Sequence, residues 1–314
     1  MLFIVLAYEA VNILFYRQNE QKDTRISVYG FIIVISCFLQ AMFGVVQFFG
    51  FFQISTTLWV TGSFDNPAGF AACLCAGFPF VGFLLSDSNK YIRYVGGLIG
   101  FVIVIAVILS QSRAGIMSIA FICFILLNMK FFHKRWVKYL SLLCFALLLS
   151  GCYWMKKDSA DGRLLIWRCS VSMVKDAPWL GHGIGSFEAR YMDYQADYFR
   201  QYGLNRYSML ADNVKHPFNE YLGVLLNFGF VGLLMILALI TLLIYCYKKH
   251  PCAEKRIAFY SLISIGVFSF FSYTFTYPFT WIVTFLCIII LTKEYIAKVF
   301  TCPIIKNTVC ISVS

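Results

Sequence analysis

The chain returns repeatedly to apolar runs of roughly 15 to 25 residues, and these runs constrain its fold more than any other feature. A helix of that length crosses a hydrocarbon core of about 30 Å. The runs are continuous rather than alternating, which excludes a transmembrane β-barrel. The composition agrees, because 60% of residues are hydrophobic and only 13% are charged. The sequence therefore predicts an all-α polytopic membrane protein.

About nine transmembrane helices are predicted from these runs. They cover residues 2–16, 27–50, 68–85, 94–110, 115–131, 138–154, 221–246, 257–274 and 278–292. The first run has no basic segment before it and no small-residue cleavage site, so we predict a membrane helix and not a signal peptide. Because this helix begins at Met1, we expect the chain to be a shortened form of a longer protein.

The apolar runs divide the chain into four segments. Residues 1–154 hold six predicted membrane helices, 155–215 form one long hydrophilic loop, 216–292 hold three further helices, and 293–314 form a tail. A membrane protein that collects its polar residues in one loop is expected to carry its chemistry there. Residues 155–215 are therefore the first place to look for a functional site.

Two helices are predicted within the long loop. Gly162–Asp176 is ended by a following proline, and Ser186–Tyr202 is ended by Gly203. A glycine-rich turn, 178–185, joins them. Aromatic residues recur at helical spacing on the second helix, at Phe187, Tyr191, Tyr194, Tyr198 and Tyr202. This pattern is typical of a packed or interfacial face, and its alternative is a platform for sugar rings.

The net charge of +11 orients the protein in the membrane and does not indicate a nucleic-acid partner. Basic residues fall in alternate connections, including those with Lys22, Arg93, Lys134 and Lys248, which the positive-inside rule assigns to the cytoplasm. The opposite connections are nearly free of Lys and Arg. The long loop lies on that outer side, the N-terminus is outside, and the C-terminal tail is cytoplasmic.

Three arginines on the outer side are candidates for binding an anion. Arg113 breaks the charge rule at a helix end, and Arg163 and Arg168 lie near the predicted start of a loop helix, where cations oppose the helix dipole. A guanidinium is always charged, and its planar fork matches phosphate oxygens. The alternatives are a snorkelling side chain for Arg113 and solvated side chains for the other two.

His216 is the candidate general base. Pro217 favours the first helical position, which predicts His216 as the N-cap of the seventh membrane helix and its ring as neutral. Glu220, one turn later, is a possible supporting residue, and so is Trp167, which shares a helix face with Arg163. The alternative is an interfacial histidine. His182, in the glycine turn, is a lesser candidate.

Metal and cofactor sites are not predicted. The twelve cysteines lie mostly inside apolar runs, form no C-x-x-C pair, and are expected to be small buried hydrophobic residues. The pattern Asp158-x-x-Asp161 is most simply a pair of residues at a helix start.

The order of short motifs around the long loop resembles the O-antigen ligase and polymerase family, which includes bacterial protein O-oligosaccharyltransferases. The resemblance covers roughly residues 55–240 and rests on several short elements. These are Gly62-Ser63-Phe64-Asp65-Asn66-Pro67, Ser112-Arg113-Ala114-Gly115, Gly162-Arg163-x-x-x-Trp167, Pro178-x-x-Gly181-x-Gly183-x-Gly185-x-Phe187, His216 with Asn219-Glu220-Tyr221, and Gly229. The family implies about a dozen membrane helices, more than are predicted here.

The resemblance implies a membrane glycosyltransferase without cofactor or metal, in the inner membrane of a bacterium with its site facing the periplasm. Its donor would be a glycan on undecaprenyl diphosphate, and its acceptor a glycan, lipid A-core or a protein. Arg113 and Arg163 would bind the diphosphate, with Arg168 as a lesser candidate, and His216 matches the position of the family's histidine.

Two other classes of function remain open. A transporter or flippase of lipid-linked glycans would use ionisable residues or broken helices at mid-membrane depth and repeated halves, and Glu9 is the one clear charge in the middle of a predicted membrane helix. A structural membrane scaffold is the third interpretation. Within the enzyme interpretation, the sequence does not separate a polymerase from a ligase.

Overall fold

The computed structural model describes residues 21–51, 60–130, 135–155 and 157–301. The predicted membrane helix 2–16, Glu9 and Lys134 lie outside these ranges. The described residues fold into α-helices joined by turns and short 3₁₀ segments, with no strand among them. The predicted all-α class is confirmed.

The helices are numbered here in chain order over the described residues. They are α1 Gln21–Phe48, α2 Pro67–Gly77, α3 Val81–Leu85, α4 Lys90–Leu109, α5 Arg113–Lys130, α6 Arg135–Met155, α7 Lys157–Asp176, α8 Ser186–Tyr202, α9 Glu220–Lys249, α10 Ala253–Phe271 and α11 Pro278–Thr301.

Helices that are long and apolar enough to cross a membrane occur at most of the predicted positions. By length and composition they are Val28–Phe48, Pro67–Leu85, Lys90–Leu109, Glu220–Lys249 and Pro278–Tyr295, with shorter apolar helices at Arg113–Met129 and Trp136–Leu147. The predicted span 257–274 coincides with α10, which begins with the charged residues Glu254, Lys255 and Arg256 and is therefore less apolar as a whole. These helices make the protein a polytopic membrane protein.

Helix α10 lies at the centre of the bundle. Its buried residues, such as Phe268, share one apolar core with α1, α2, α4, α5 and α11. Serine hydroxyls fix its position: Ser261 Oγ donates to the Ala76 carbonyl at 2.7 Å, and Ser264 Oγ donates to the Cys75 carbonyl at 2.7 Å. Such hydrogen bonds between helices hold membrane bundles together where no hydrophobic driving force exists. These bonds fix α10 against α2.

The segment between α6 and α9 forms a second apolar core. Leu165 and Met173 of α7 pack with Tyr191 of α8 and Leu226 of α9. Phe187 and Tyr191 are buried in this core, which confirms the packed interpretation for that half of the aromatic face, whereas Tyr202 is exposed. Helix α8 has the predicted bounds, and Gly203 ends it with φ +67°.

The predicted start of the first loop helix is wrong. Helix α7 begins at Lys157 and not at Gly162, so Arg163 lies in its second turn. Asp158 occupies the first turn, where a carboxylate favours the helix dipole, and this explains the earlier start. The end at Asp176 is as predicted.

Helix α9 is broken at Gly229, which has φ +62° and ψ −159°. In an unbroken helix the N–H groups of Phe230 and Val231 would bond to the carbonyls of Leu226 and Asn227. Here each of those four groups bonds to the glycine-rich turn 178–183 instead. Phe230 N donates to Pro178 O (2.8 Å), Val231 N to Trp179 O (3.2 Å), His182 N to Leu226 O (2.7 Å) and Gly183 N to Asn227 O (3.1 Å).

Candidate functional site

Arg113 is the first residue of α5 and points toward the loop helices. Its Nη2 donates to Ser159 Oγ of α7 at 2.8 Å. Gln111, two residues earlier, has φ +53°, and this turn ends α4 and starts α5 in a new direction. The bonded Arg113 guanidinium joins α5 to α7, which a side chain that merely snorkels to water would not do.

Arg163 lies close to Arg113. Its Nη1 donates to the Phe271 carbonyl at the end of α10 at 2.8 Å, and its guanidinium lies over the Phe218 ring, 5.2 Å from the centroid. Burial, together with the nearby charge of Arg113, lowers the pKa of Arg163 to about 10. Both arginines remain cationic near neutral pH, so two like charges from different helices are held together.

Helix α7 also holds the segment that carries His216. Trp167 Nε1 donates to the Pro217 carbonyl at 2.9 Å, one turn after Arg163, whose guanidinium covers Phe218. The two residues that follow His216 are therefore fixed by the Arg163-x-x-x-Trp167 pair. A supporting role of Trp167 at the site stays a prediction.

The predicted helix start at Pro217 is wrong. Phe218 has φ +52°, and Asn219 is the N-cap of α9, where its Oδ1 accepts from Leu222 N at 3.0 Å. His216 therefore lies three residues before the cap and is not itself the cap. An asparagine cap satisfies an N–H of the first turn better than a histidine does, which explains the later start.

The His216 ring stacks on Tyr273, with centroids 4.7 Å apart and planes 24° apart. Burial lowers its pKa, the nearby cation of Lys215 lowers it as well, and Glu188 raises it. The ring is thus neutral around pH 7 and able to accept a proton, although the cause is burial and not the predicted helix terminus.

Tyr273 was missed by the sequence analysis. It follows α10, and its ring contacts both His216 and Phe218. The sequence shows only an aromatic residue in an outer turn, and such residues are common at membrane interfaces. The contact depends on the packing of α10 against α9, which no local pattern encodes.

Glu220 and His182, the remaining candidates, each bond to a segment other than the one that carries His216. Glu220 Oε1 accepts from Phe275 N at 2.8 Å and so fixes the turn after Tyr273. The His182 ring is fully bonded, because Nε2 lies 2.7 Å from the Met173 carbonyl and Nδ1 lies 3.0 Å from Arg190 Nη1. These contacts require a proton on Nε2 and a lone pair on Nδ1, so His182 holds the glycine turn in place.

Arg168 lies on another side of α7. Five residues separate it from Arg163, which corresponds to a rotation of about 140° around the helix. Its Nη1 bonds to Tyr198 Oη at 3.4 Å, and its guanidinium lies 5.1 Å from the Tyr207 ring centroid. The structure therefore brings Arg113 and Arg163 together and directs Arg168 to the aromatic face of α8.

An open apolar groove of about 520 Å³ lies next to the arginine pair. It is formed by α5, α6, α9 and α10, and its lining includes Met117, Phe145, Tyr221 and Phe271. Met117 is one turn below Arg113 on the same face of α5, and the Phe271 carbonyl accepts the hydrogen bond from Arg163. The site thus combines two cations with a long apolar surface, which suits an amphipathic anion.

Metal-ligating side chains do not cluster within the ranges that the structure describes, where no group of three or more His, Cys, Asp or Glu residues is close enough to hold an ion. The groups available to bind an anion at this site are the guanidinium groups of Arg113 and Arg163.

Comparison with known proteins identifies a domain over much of this region. Residues 98–237 match the family model described as O-antigen ligase. The match spans Arg113, Arg163, His216 and Gly229, and it confirms the resemblance to the O-antigen ligase and polymerase family. Tyr273 lies beyond the matched residues. No curated protein matches the chain.

Proposed function

We propose that this membrane protein, whose residues 98–237 match the O-antigen ligase family model, transfers or polymerises a glycan carried on undecaprenyl diphosphate. The acceptor is a hydroxyl group of another glycan, of lipid A-core or of a protein. The observation that carries the proposal is the pairing of Arg113 with Arg163 next to an apolar groove. Two rings connect this pair to His216: Arg163 lies over Phe218, Phe218 contacts Tyr273, and Tyr273 stacks on His216. The site then belongs on the periplasmic face of a bacterial inner membrane.

The arginine pair suits the diphosphate of such a donor. Two guanidiniums on separate helices repel each other, and an anion between them relieves this repulsion and offers oxygens to both forks. Negative charge grows on the diphosphate as the sugar–phosphate bond breaks. Fixed cations placed where that charge develops lower the barrier without reorganising during the reaction. Arg113 and Arg163 would therefore contribute both to binding and to catalysis.

His216 suits the other half of the reaction. In the proposed step the acceptor hydroxyl oxygen attacks the anomeric carbon and forms the new glycosidic bond. The hydroxyl proton passes to the neutral imidazole of His216, and the diphosphate leaves with the electron pair of the broken carbon–oxygen bond. The stack on Tyr273 restricts the orientation of the His216 ring.

The apolar groove suits the polyisoprenoid chain of the donor. Its lining is almost entirely hydrocarbon and aromatic, and it begins beside the residues that contact Arg163. A lipid bound there would place its diphosphate at the arginine pair while its tail stays out of water. A donor without a lipid tail is expected to bind more weakly for this reason.

Transfer by purified protein tests the proposal directly. The protein in lipid nanodiscs would be supplied with a synthetic undecaprenyl-diphosphate glycan and an acceptor glycan, and release of undecaprenyl diphosphate would be measured together with the mass of the acceptor. We expect product with the unaltered protein and with Arg200→Lys, an exposed control. Movement of the donor across vesicle membranes without any product would instead identify a transporter.

The acceptor class would be resolved in a deletion strain. Loss of long surface glycan with retention of single-unit bands indicates a polymerase, whereas loss of all attached glycan indicates a ligase.

A further inference from the structure

The turn 178–184 exposes large apolar side chains although it lies within the segment that was predicted as a hydrophilic loop. Trp179 is 70% exposed, Leu180 is 74% exposed and Ile184 is 84% exposed. The sequence from Ala177 to Phe187 carries no Asp, Glu, Lys or Arg. An apolar patch of this kind indicates a partner that is not water.

The turn is hydrogen-bonded to α9 at the break at Gly229, and this fixes its distance from the end of that helix. After the break at Gly229, the helix runs from Phe230 to Lys249, which is about 20 residues and therefore about 30 Å. Lys248 and Lys249 mark the end of that stretch. The break thus lies one hydrocarbon thickness away from these lysines, at the opposite boundary of the membrane.

The exposed side chains of the turn continue the lipid-facing surface of α9. Trp179 contacts Phe230 edge to face, with centroids 6.1 Å apart, and Phe230, Val231 and Leu234 are themselves exposed. Trp prefers the boundary between hydrocarbon and headgroups, where its ring is buried and its N–H remains solvated. The two surfaces form one apolar strip that crosses the boundary.

The hydrogen bonding of the break is suited to a nonpolar surrounding. Unpaired backbone groups are very unfavourable in hydrocarbon, so a broken helix is tolerated there only where other groups bond to the opened backbone. The turn supplies a partner to the carbonyls of Leu226 and Asn227 and to the N–H groups of Phe230 and Val231. A break that faced water would not need this complete pairing.

From these observations we propose that residues 178–184 are a membrane wedge: Trp179, Leu180 and Ile184 insert into the outer boundary of the bilayer. The wedge holds the second apolar core, and with it Arg163 and Trp167, at a fixed depth relative to the lipid. The partner is the acyl-chain region of the bilayer. This inference does not depend on the reaction proposed above.

Quenching of Trp179 fluorescence by lipid tests the wedge. The protein would be reconstituted in phosphatidylcholine with bromine atoms near the headgroup end of the acyl chains, and the difference in emission between unaltered protein and Trp179→Phe would report Trp179 alone. We expect this difference emission to be quenched several-fold more by brominated lipid than by aqueous iodide. The conservative replacement keeps the aromatic contact with Phe230, so folding is retained.

A matched control places a tryptophan on the outer side of α8. In the Trp179→Phe background, Gln201→Trp introduces the ring at an exposed position near the end of that helix. This control is expected to respond to iodide and not to brominated lipid. If brominated lipid quenches Trp179 no more than it quenches the control tryptophan, the turn faces water or another protein and the proposal is overturned.

Discussion

Arg113 and Arg163 lie close together but are held by different contacts. We therefore expect their substitutions to lower activity to different extents. Arg113→Lys keeps the charge but replaces a planar fork with a point charge, so we expect most activity to be lost. Arg163→Ala removes a charge-assisted contact and should lower kcat/KM by roughly 10- to 100-fold. Arg168→Ala should lower it by less than about threefold, because Arg168 contacts the α8 aromatic face.

Rates of glycan transfer with each arginine variant, at matched expression and with Arg200→Lys as the surface control, measure these effects. Unaltered kinetics for both Arg113→Lys and Arg163→Ala would show that the pair serves only to join α5, α7 and α10.

His216 should govern the acid limb of the pH–rate profile. His216→Ala is expected to lower the rate by about 10²–10⁴-fold while donor binding is largely retained, since the arginines hold the diphosphate. Burial and Lys215 lower the His216 pKa and Glu188 raises it. Lys215→Gln should therefore move the acid limb to higher pH, and Glu188→Gln should move it to lower pH.

Both shifts should shrink in high salt, because Lys215 and Glu188 are exposed. Identical acid limbs in both variants at low salt, together with transfer by His216→Ala at more than about a third of the normal rate, would exclude His216 as the base.

At the scale of single residues, the sequence marked Arg113 because it broke the charge rule. The helix-dipole argument for Arg163 and Arg168 was wrong, because α7 begins at Lys157 and both arginines lie beyond its first turn. The role of Tyr273 and the bonding of His182 were not predictable, because each depends on contact with a segment far away in the chain. The prediction that the helix starts at Pro217 was wrong because Asn219 provides a better N-cap.

The joint between the glycine turn and α9 is an element-scale feature with a sharp steric requirement. A Cβ on Gly229 would lie 2.3 Å from the Trp179 carbonyl oxygen, and a Cβ on Gly181 would lie 2.6 Å from the Phe228 nitrogen. Both residues also have positive φ. Gly229→Ala and Gly181→Ala should each lower stability by more than about 2 kcal/mol, because strain adds to the clash.

Thermal unfolding in detergent measures this effect, and two other glycines serve as controls. Gly183 has φ +89° but open space around the Cβ position, so Gly183→Ala should cost about 1–2 kcal/mol, from the backbone alone. Gly97 lies within α4 with open space, and Gly97→Ala should be neutral or stabilising. Equal unfolding temperatures for Gly229→Ala and Gly97→Ala would refute the proposed steric joint.

Helices were predictable where a single periodic run carried them, as in α8, whose bounds match the prediction at both ends. The break in α9 was not predictable in the same way. The sequence shows one continuous apolar run there, and a glycine such as Gly229 also occurs in intact membrane helices. Only the contact with the turn 178–183 reveals the break. The pairing of residues 178–183 with 226–231 is a long-range event, which local patterns do not encode.

Sidedness is a property of the whole molecule, and it ties the site to the distribution of charge. Arg163 lies over Phe218, just before α9 begins, whereas Lys248 and Lys249 lie at the other end of α9. The positive-inside rule assigns the lysine end to the cytoplasm. The glycan donor would then be consumed on the opposite side, where no nucleotide is needed because the sugar–phosphate bond is already activated.

Truncation fusions test this arrangement. A phosphatase that is active only outside the cytoplasm should be active when fused after Gly185 and inactive when fused after Lys134 or Lys249. A fluorescent protein that folds only in the cytoplasm should give the reverse pattern at the same positions. The physical reason is that the lysine-rich connections resist translocation, so each apolar helix between them reverses the side. Cytoplasmic signal after both Lys134 and Gly185 would place the arginine pair on the wrong side for a lipid-linked donor in the periplasm, and the proposed reaction would then fail together with the topology.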